Sequence, residues 1–500
     1  MKKQAISATL LCLACVLIAV ILSGILCPDR DQIAYPFENH MGAYNPYEQQ
    51  FDAFMKGQLH IDLVPDKALS ELKNPYDPNE RDGIYYLWDR AYYDGKYFSY
   101  FGVAPIITIY YPYYLINGAL PADDVVSTAF AVMTALFFSM AAVKLWAMLG
   151  KKTPTWLLWV LTISALASTQ IFLVMRGSTR FYYIATVSGM AFLSLFAWLF
   201  LCGISGTVFL EKREGREERK WIRPTIFAFA GIAYGLCFLS RFNMALVAAF
   251  LILPMLWFFI VRENGKFRNI KTVAVELFAL ALPVLIAVFA QLWMNYLRFD
   301  SLFEFGTSYQ LTVSDVSKNR LRLSDLGYAI YHYFFQPLSF TEDFPLASLF
   351  YSRLESYGHF VYVDTGMGLF AIPFMWLLFA AVFVFADKNR SVGVKSTLFM
   401  AMVGMLTVAW FDFCLGGVIF RYTCDLTVVA ALSALAVAFM LSGGEENGGA
   451  VAIKSGSMLI LALISLAAIY VSITLAFSTN VNLSEYPDEI YRAFRALFGK

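Results

Sequence analysis

Apolar runs of about twenty residues recur from one end of this chain to the other. Each is long enough to cross the ~30 Å hydrocarbon core of a bilayer. Lipid offers no hydrogen bonds, so a spanning segment must satisfy its own backbone, and repeated runs of this length admit only helices. Of the 500 residues, 59% are hydrophobic and 15% charged, where soluble domains carry roughly 25% charged residues. The expected fold class is all-α: a polytopic integral membrane protein with about eleven transmembrane helices. A net charge of +1 gives no electrostatic case for nucleic acid. Cys12, Cys15, Cys202, Cys237 and Cys414 fall within apolar spans, where they serve as small hydrophobes. No Cys/His spacing suggests a structural metal. No cofactor is expected, and a divalent metal stays open.

The first span runs from about Ala5 to Cys27, after Met1-Lys2-Lys3. It is longer than the core of a cleaved signal peptide and reads as an uncleaved anchor with a cytoplasmic N-terminus. The other expected spans are about 125–149, 155–175, 182–210, 225–240, 242–261, 272–294, 366–387, 397–419, 426–442 and 456–478. One further apolar segment, Phe101 to Asn117, holds Pro105, Pro112 and four tyrosines. If it crossed, the basic loop with Lys212, Arg213, Arg216, Arg219, Lys220 and Arg223 would lie outside. If it dips in and returns, every short basic loop falls inside, as the positive-inside rule favours. The core is therefore expected over 1–478. Its first outer loop covers 28–124, with amphipathic and re-entrant segments, and its second covers 295–365. Residues 443–449 read as a flexible cytoplasmic linker, and 479–500 as an outer-face interfacial tail. The expected location is a cell membrane that the chain crosses many times.

Polar residues are unevenly spread over this topology. All four histidines lie in the two outer loops, and of 37 acids, 13 lie between Asp29 and Asp94 and eight between Asp300 and Asp364. Soluble loops are charged in any case, but the dense aromatic interleaving of the first loop goes further. Tyr85, Tyr86, Trp88, Tyr92, Tyr93, Tyr97 and Tyr100 fall within sixteen residues. Aromatic belts account for part of it, and stacking on sugar faces would use the same surfaces.

One cytoplasmic N-terminus, one span, and a long acidic outer loop containing Tyr44 to His60 form the start of a pattern. A Pro-containing apolar segment follows, then a span ending at Gly150-Lys151-Lys152, and then Arg176-Gly177. Further pieces are Gly231 to Leu236 with Ser240-Arg241-Phe242-Asn243, Asn295 to Asp300 with Phe305 to Gln310, and Arg421-Tyr422 with Asp425. With these pieces the chain resembles the GT-C glycosyltransferase superfamily, in the branch of bacterial aminoarabinose transferases and protein O-mannosyltransferases. The resemblance implies transfer of a sugar from a polyprenyl-phosphate donor to a cell-envelope glycan, lipid or protein on the outer face. It also implies a general base in the first outer loop. The adjacent Asp-Glu of the aminoarabinose transferases is absent there. Glu48 and Asp52, four residues apart and so on one helix face, are the nearest carboxylates and the expected catalytic pair, with Asp29 and Asp31 next.

A leaving phosphate needs cations, and the planar guanidinium suits it. Arg421, Arg176, Arg241 and Arg298 sit at expected outer span ends, with Asp425 one turn from Arg421 to orient it. Tyr97 and Asp89 are the first loop's other candidate binding residues. Asp412 lies mid-span, where an acid needs a partner, and Glu276 reads as an acid snorkelling at the cytoplasmic end. A transporter or flippase of a lipid-linked glycan is the alternative. Transporters place their sites at mid-membrane between repeats, and no repeat is visible here. A non-catalytic envelope-assembly protein is the third reading.

Overall fold

The computed structural model describes residues 2–26, 45–150, 153–176, 180–206, 222–263, 266–342, 346–351, 357–442 and 455–478. It shows an all-α polytopic membrane protein. Among the described residues, nine helices are long and apolar enough to cross a bilayer. They include Lys2–Leu26, Asp123–Leu149, Arg180–Ser205, Ile222–Ser240, Val392–Gly416, Phe420–Ser442 and the 30-residue Ile270–Phe299. The helix Phe420–Ser442 is the most enclosed of them. It packs against Asp123–Leu149, Arg180–Ser205 and Val392–Gly416, so its first turn is held in the middle of the face that carries the two long loops. We call that face the loop face.

Three expected spans differ in detail. The run 155–175 breaks into Thr155–Ser168 and Ile171–Arg176. Gln170 adopts a left-handed φ of 62°, and the carbonyl freed at Thr169 accepts from Thr427 Oγ1 at 2.9 Å. Irregular backbone at membrane depth survives only with such a partner. The run 366–387 contains the 3₁₀ segment Pro373–Leu378 and the short helix Ala381–Ala386. Its entry is tight, because a Cβ on Gly368 would lie 2.5 Å from the Gln336 nitrogen. The helix expected from 426 starts instead at Phe420. Arg421 and Asp425 are thus helical residues: Asp425 pairs with Arg241, and Arg421 lies over the rings of Tyr182 and Tyr422. The tail 479–500, the linker 443–449 and Asp29 and Asp31 lie outside the described residues.

The segment after Phe101 forms a π-turn, Ile106–Tyr110, and a helix, Tyr111–Asn117, that ends at left-handed Gly118. At the helical rise it is roughly 18 Å long, short of the ~30 Å a crossing needs. The amphipathic helix Pro46–Met55 lies on it. Asn45 caps this helix through Oδ1 to the Tyr47 N–H at 2.9 Å, with Pro46 at the first helical position. Tyr47 stacks on Tyr110 at 5.8 Å and Phe51 meets Tyr114 edge-on at 5.2 Å.

The two long loops form one unit. The first holds a hairpin, Ala91–Tyr93 with Lys96–Phe98. Its turn residues Asp94 and Gly95 have φ of 47° and 68°, the pairing a two-residue hairpin of this twist demands. The second loop closes onto it. Asp89 N donates to Leu311 O and Leu311 N to Arg90 O, both at 2.9 Å. Asp89 itself has a φ of 57°, which Asp tolerates better than most residues.

Glu276 is corrected from its expected place. It is 1% exposed, held by both guanidinium nitrogens of Arg268 at 2.8 and 2.9 Å and by Arg223 at 3.4 Å. Two arginines converging on one acid remove any reason for it to snorkel.

Candidate active site at the loop face

Helix starts and loop segments bring five chemically active side chains into one polar cluster under the two loops, called the chamber below. Arg421 projects from the first turn of Phe420–Ser442. Its Cζ lies 4.8 Å from the Tyr182 ring centroid and 5.4 Å from that of Tyr422. Rings at this range attract a guanidinium and fix its plane. Among the described residues it forms no ion pair. The Asp89 carboxylate lies close to the Tyr182 hydroxyl. Tyr182 therefore carries Arg421 against its ring and Asp89 at its tip, a cation and an acid about one ring apart. Asp89 is 7% exposed. Tyr100, whose pKa burial and the nearby Asp89 push well above its ordinary value, closes the chamber as a neutral hydroxyl. Arg90 sits behind, donating through Nε to Gln49 Oε1 at 2.8 Å and through Nη1 to the Trp88 carbonyl at 3.2 Å.

The stretch Ser99 to Val103 reaches this place because Gly102 lets it. A Cβ there would lie 2.2 Å from the Leu239 carbonyl oxygen and 2.5 Å from that of Ser240. The loop backbone therefore presses on the end of the helix Ile222–Ser240, beside Arg241. Gly102→Ala is expected to cost about 1–3 kcal/mol through forced backbone shifts. The check is thermal unfolding in detergent, and an unchanged transition would show that the contact is loose.

Under the chamber lies a second layer. Arg241 Nε donates to Asp425 Oδ1 at 2.5 Å, Arg241 Nη2 to the Arg421 carbonyl at 3.4 Å. Asn243 Nδ2 donates to Asp412 Oδ1, and the Asp425 carboxylate lies close by. The mid-span acid thus has its partner. The expected pairing of Asp425 with Arg421 is corrected: Asp425 is taken by Arg241 from the neighbouring helix corner, where the closer geometry wins.

The other sequence candidates are dispersed. Arg298 is 5% exposed. It donates to the Ser99 carbonyl at 2.7 Å, Asn295 Oδ1 at 2.9 Å and the Met294 carbonyl at 3.3 Å. It pins the first loop to the end of Ile270–Phe299, with its donors engaged. Tyr97 is buried among Tyr92, Leu87 and Leu311; burial pushes its pKa up to about 12. It packs a small loop core and presents no face to a ligand. Asp52 is exposed and paired with Lys56 at 2.8 Å, which also holds Asp62 at 2.7 Å. Glu48 is half-buried in the first turn of Pro46–Met55, one residue from the Gln49 that holds Arg90. Arg176 ends its helix, and its side chain lies outside the described residues. Among the described residues, no group of three or more His, Cys, Asp or Glu is placed to hold a metal ion.

Sequence reading missed Tyr182 and Arg90, and took Tyr100 only as one member of an aromatic run. A signal existed in Arg180-Phe181-Tyr182-Tyr183, an aromatic run beside cations at a span end, but an interfacial belt has the same appearance.

A membrane-embedded helical core with a polar chamber under two interlocked loops is the class these observations define. No protein-family model matches the chain, and no curated protein matches it. Among solved structures it is similar to the Archaeoglobus fulgidus oligosaccharyltransferase in the apo form, at 15% identity and a TM-score of 0.45, over 93% of this chain and 55% of that one. It is also similar to the archaeal oligosaccharyltransferase from Archaeoglobus fulgidus in complex with an inhibitory peptide and a dolichol-phosphate, at 14% identity and a TM-score of 0.40, again over 93% and 55%. The chain spans about half the length of these proteins. At these scores the functional reading rests on the chamber.

Proposed function

We propose that the chain is a membrane glycosyltransferase that moves a sugar from a polyprenyl-phosphate carrier to a cell-envelope acceptor. The observation that carries this reading is the pairing across Tyr182: a guanidinium that forms no ion pair among the described residues stands opposite a nearly buried carboxylate. Arg421 supplies the charge-assisted donors a phosphate takes up at a lipid boundary. Asp89 supplies the base. In the step, an acceptor hydroxyl or amine gives its proton to Asp89 and its heteroatom forms a bond to the sugar's anomeric carbon. The carbon–oxygen bond to the phosphate breaks, and the phosphate oxygen keeps the electron pair beside Arg421. Asp52 is set aside, since it is solvated and paired; Glu48, half-buried in the first turn of Pro46–Met55, is the alternative base. With the short basic loops inside, the chamber opens on the outer face of the membrane.

Reconstitution into liposomes tests this against the flippase reading. With a polyprenyl-phosphate-linked sugar supplied, the transferase releases polyprenyl phosphate in step with sugar appearing on an acceptor. Donor that crosses the bilayer intact, with no phosphate-linked lipid released, would make the chain a transporter.

A further inference from the structure

Among the described residues Arg421 forms no ion pair, in a place where it should have acquired one. Asp425 follows it by four residues on the same helix, the spacing at which Asp and Arg meet across one turn. A guanidinium already paired with a carboxylate has little left for a phosphate, because its strong donors are spent and its charge is neutralised. The carboxylate is instead engaged from another element. Arg241, at the corner between Ile222–Ser240 and Phe242–Met255, donates to Asp425 at 2.5 Å. Its side chain is 15% exposed and that of Asp425 is 0% exposed. Asn243, two residues on, donates to the second nearby acid, Asp412. Arg241 also donates to the Arg421 carbonyl at 3.4 Å and lies over the Tyr422 ring at 5.2 Å, the ring it shares with Arg421.

We propose that Arg241 is a positioning residue that keeps Arg421 open for a lipid phosphate by holding Asp425 away from it. The inference rests on the phosphate reading of Arg421 given above. It makes Arg241 and Asp425 unequal, although they form one ion pair. Loss of Arg241 releases Asp425 to capture Arg421 and closes the phosphate site. Loss of the Asp425 carboxylate breaks the same pair but releases no new carboxylate toward Arg421. A pair that merely braces the fold would suffer equally from either change, since each strands one buried charge.

The test is binding of polyprenyl monophosphate to the purified full chain in detergent, below each variant's unfolding transition. Arg421→Ala should weaken binding by about tenfold or more; if it does not, the phosphate reading itself fails. Given that loss, Arg241→Gln should weaken binding to a similar extent, Asp425→Asn should stay within about twofold of the parent, and Arg241→Gln with Asp425→Asn should regain most of the affinity. Equal weakening by Arg241→Gln and Asp425→Asn, or no weakening by Arg241→Gln, overturns the proposal. If Arg241→Gln does not fold, Arg241→Lys serves, because its ammonium still holds Asp425 and should preserve binding. A loss there as large as that of Arg421→Ala overturns the proposal as well.

Discussion

Asp89→Asn is expected to lower sugar transfer by about 10²–10⁴-fold, the range attributed to a positioned general base. The substitution removes the charge and the proton-accepting oxygen while keeping the shape. Asn also tolerates the left-handed backbone that this position requires, where φ is 57°. The Asp89 N–H bond to Leu311 does not involve the side chain, so the junction between the two loops should persist. The measurement is turnover of a polyprenyl-phosphate-linked sugar by purified protein, with donor binding measured alongside. Binding should be nearly unchanged while turnover falls. Asp52→Asn provides the contrast. Its ion pair with Lys56 is exposed, and such pairs contribute about 0–1 kcal/mol, so turnover should stay near the parent's. If Glu48→Gln abolishes transfer and Asp89→Asn does not, the base belongs to the helix Pro46–Met55.

Arg421→Ala carries the second large effect. Hydrogen bonds to a charged group contribute about 1.5–3 kcal/mol each, so donor binding should weaken by about ten- to a hundredfold, and turnover with it. The ring contacts with Tyr182 and Tyr422 are lost as well. Arg421→Lys should recover only part of the affinity, because an ammonium cannot reproduce the planar fork that both the rings and a phosphate engage. Parent-like binding by Arg421→Ala would leave Arg421 as a headgroup anchor.

How far the chain could be read beforehand depended on what kind of force placed each residue. Hydropathy locates spans because burial of apolar side chains in lipid is a local property of the sequence. It therefore found helices near 125–149, 242–261 and 456–478. It set the start of Phe420–Ser442 too late, because Arg421 and Asp425 look like loop residues until their partners from other helices are known. It missed the break at Gln170 for the converse reason. That break is satisfied by Thr427 and by Ser472, which accepts from Gln170 Nε2 at 3.1 Å, on helices far along the chain. The candidate site was legible as a set of residue types, acids in the first loop and arginines at span ends. It was not legible as a selection. Arg298 and Arg421 look alike in sequence, yet one spends its donors on Ser99 and Asn295 and the other, among the described residues, meets the rings of Tyr182 and Tyr422 and forms no ion pair. Asp89 and Asp52 likewise differ only by what the second loop and the helix Arg180–Ser205 bring to them. Such pairings are set by contacts across a hundred residues or more, and no spacing rule reaches that far.

The most direct measurement is a structure of the Asp89→Asn protein with a polyprenyl-phosphate-linked sugar bound, since that variant should hold its donor without consuming it. The expected result is phosphate density in contact with the Arg421 guanidinium, with the sugar between it and residue 89 beside Tyr182. Donor density that sits elsewhere on the protein, with the space between Arg421 and residue 89 empty, would contradict the assignment of this chamber as the place where the sugar leaves its carrier.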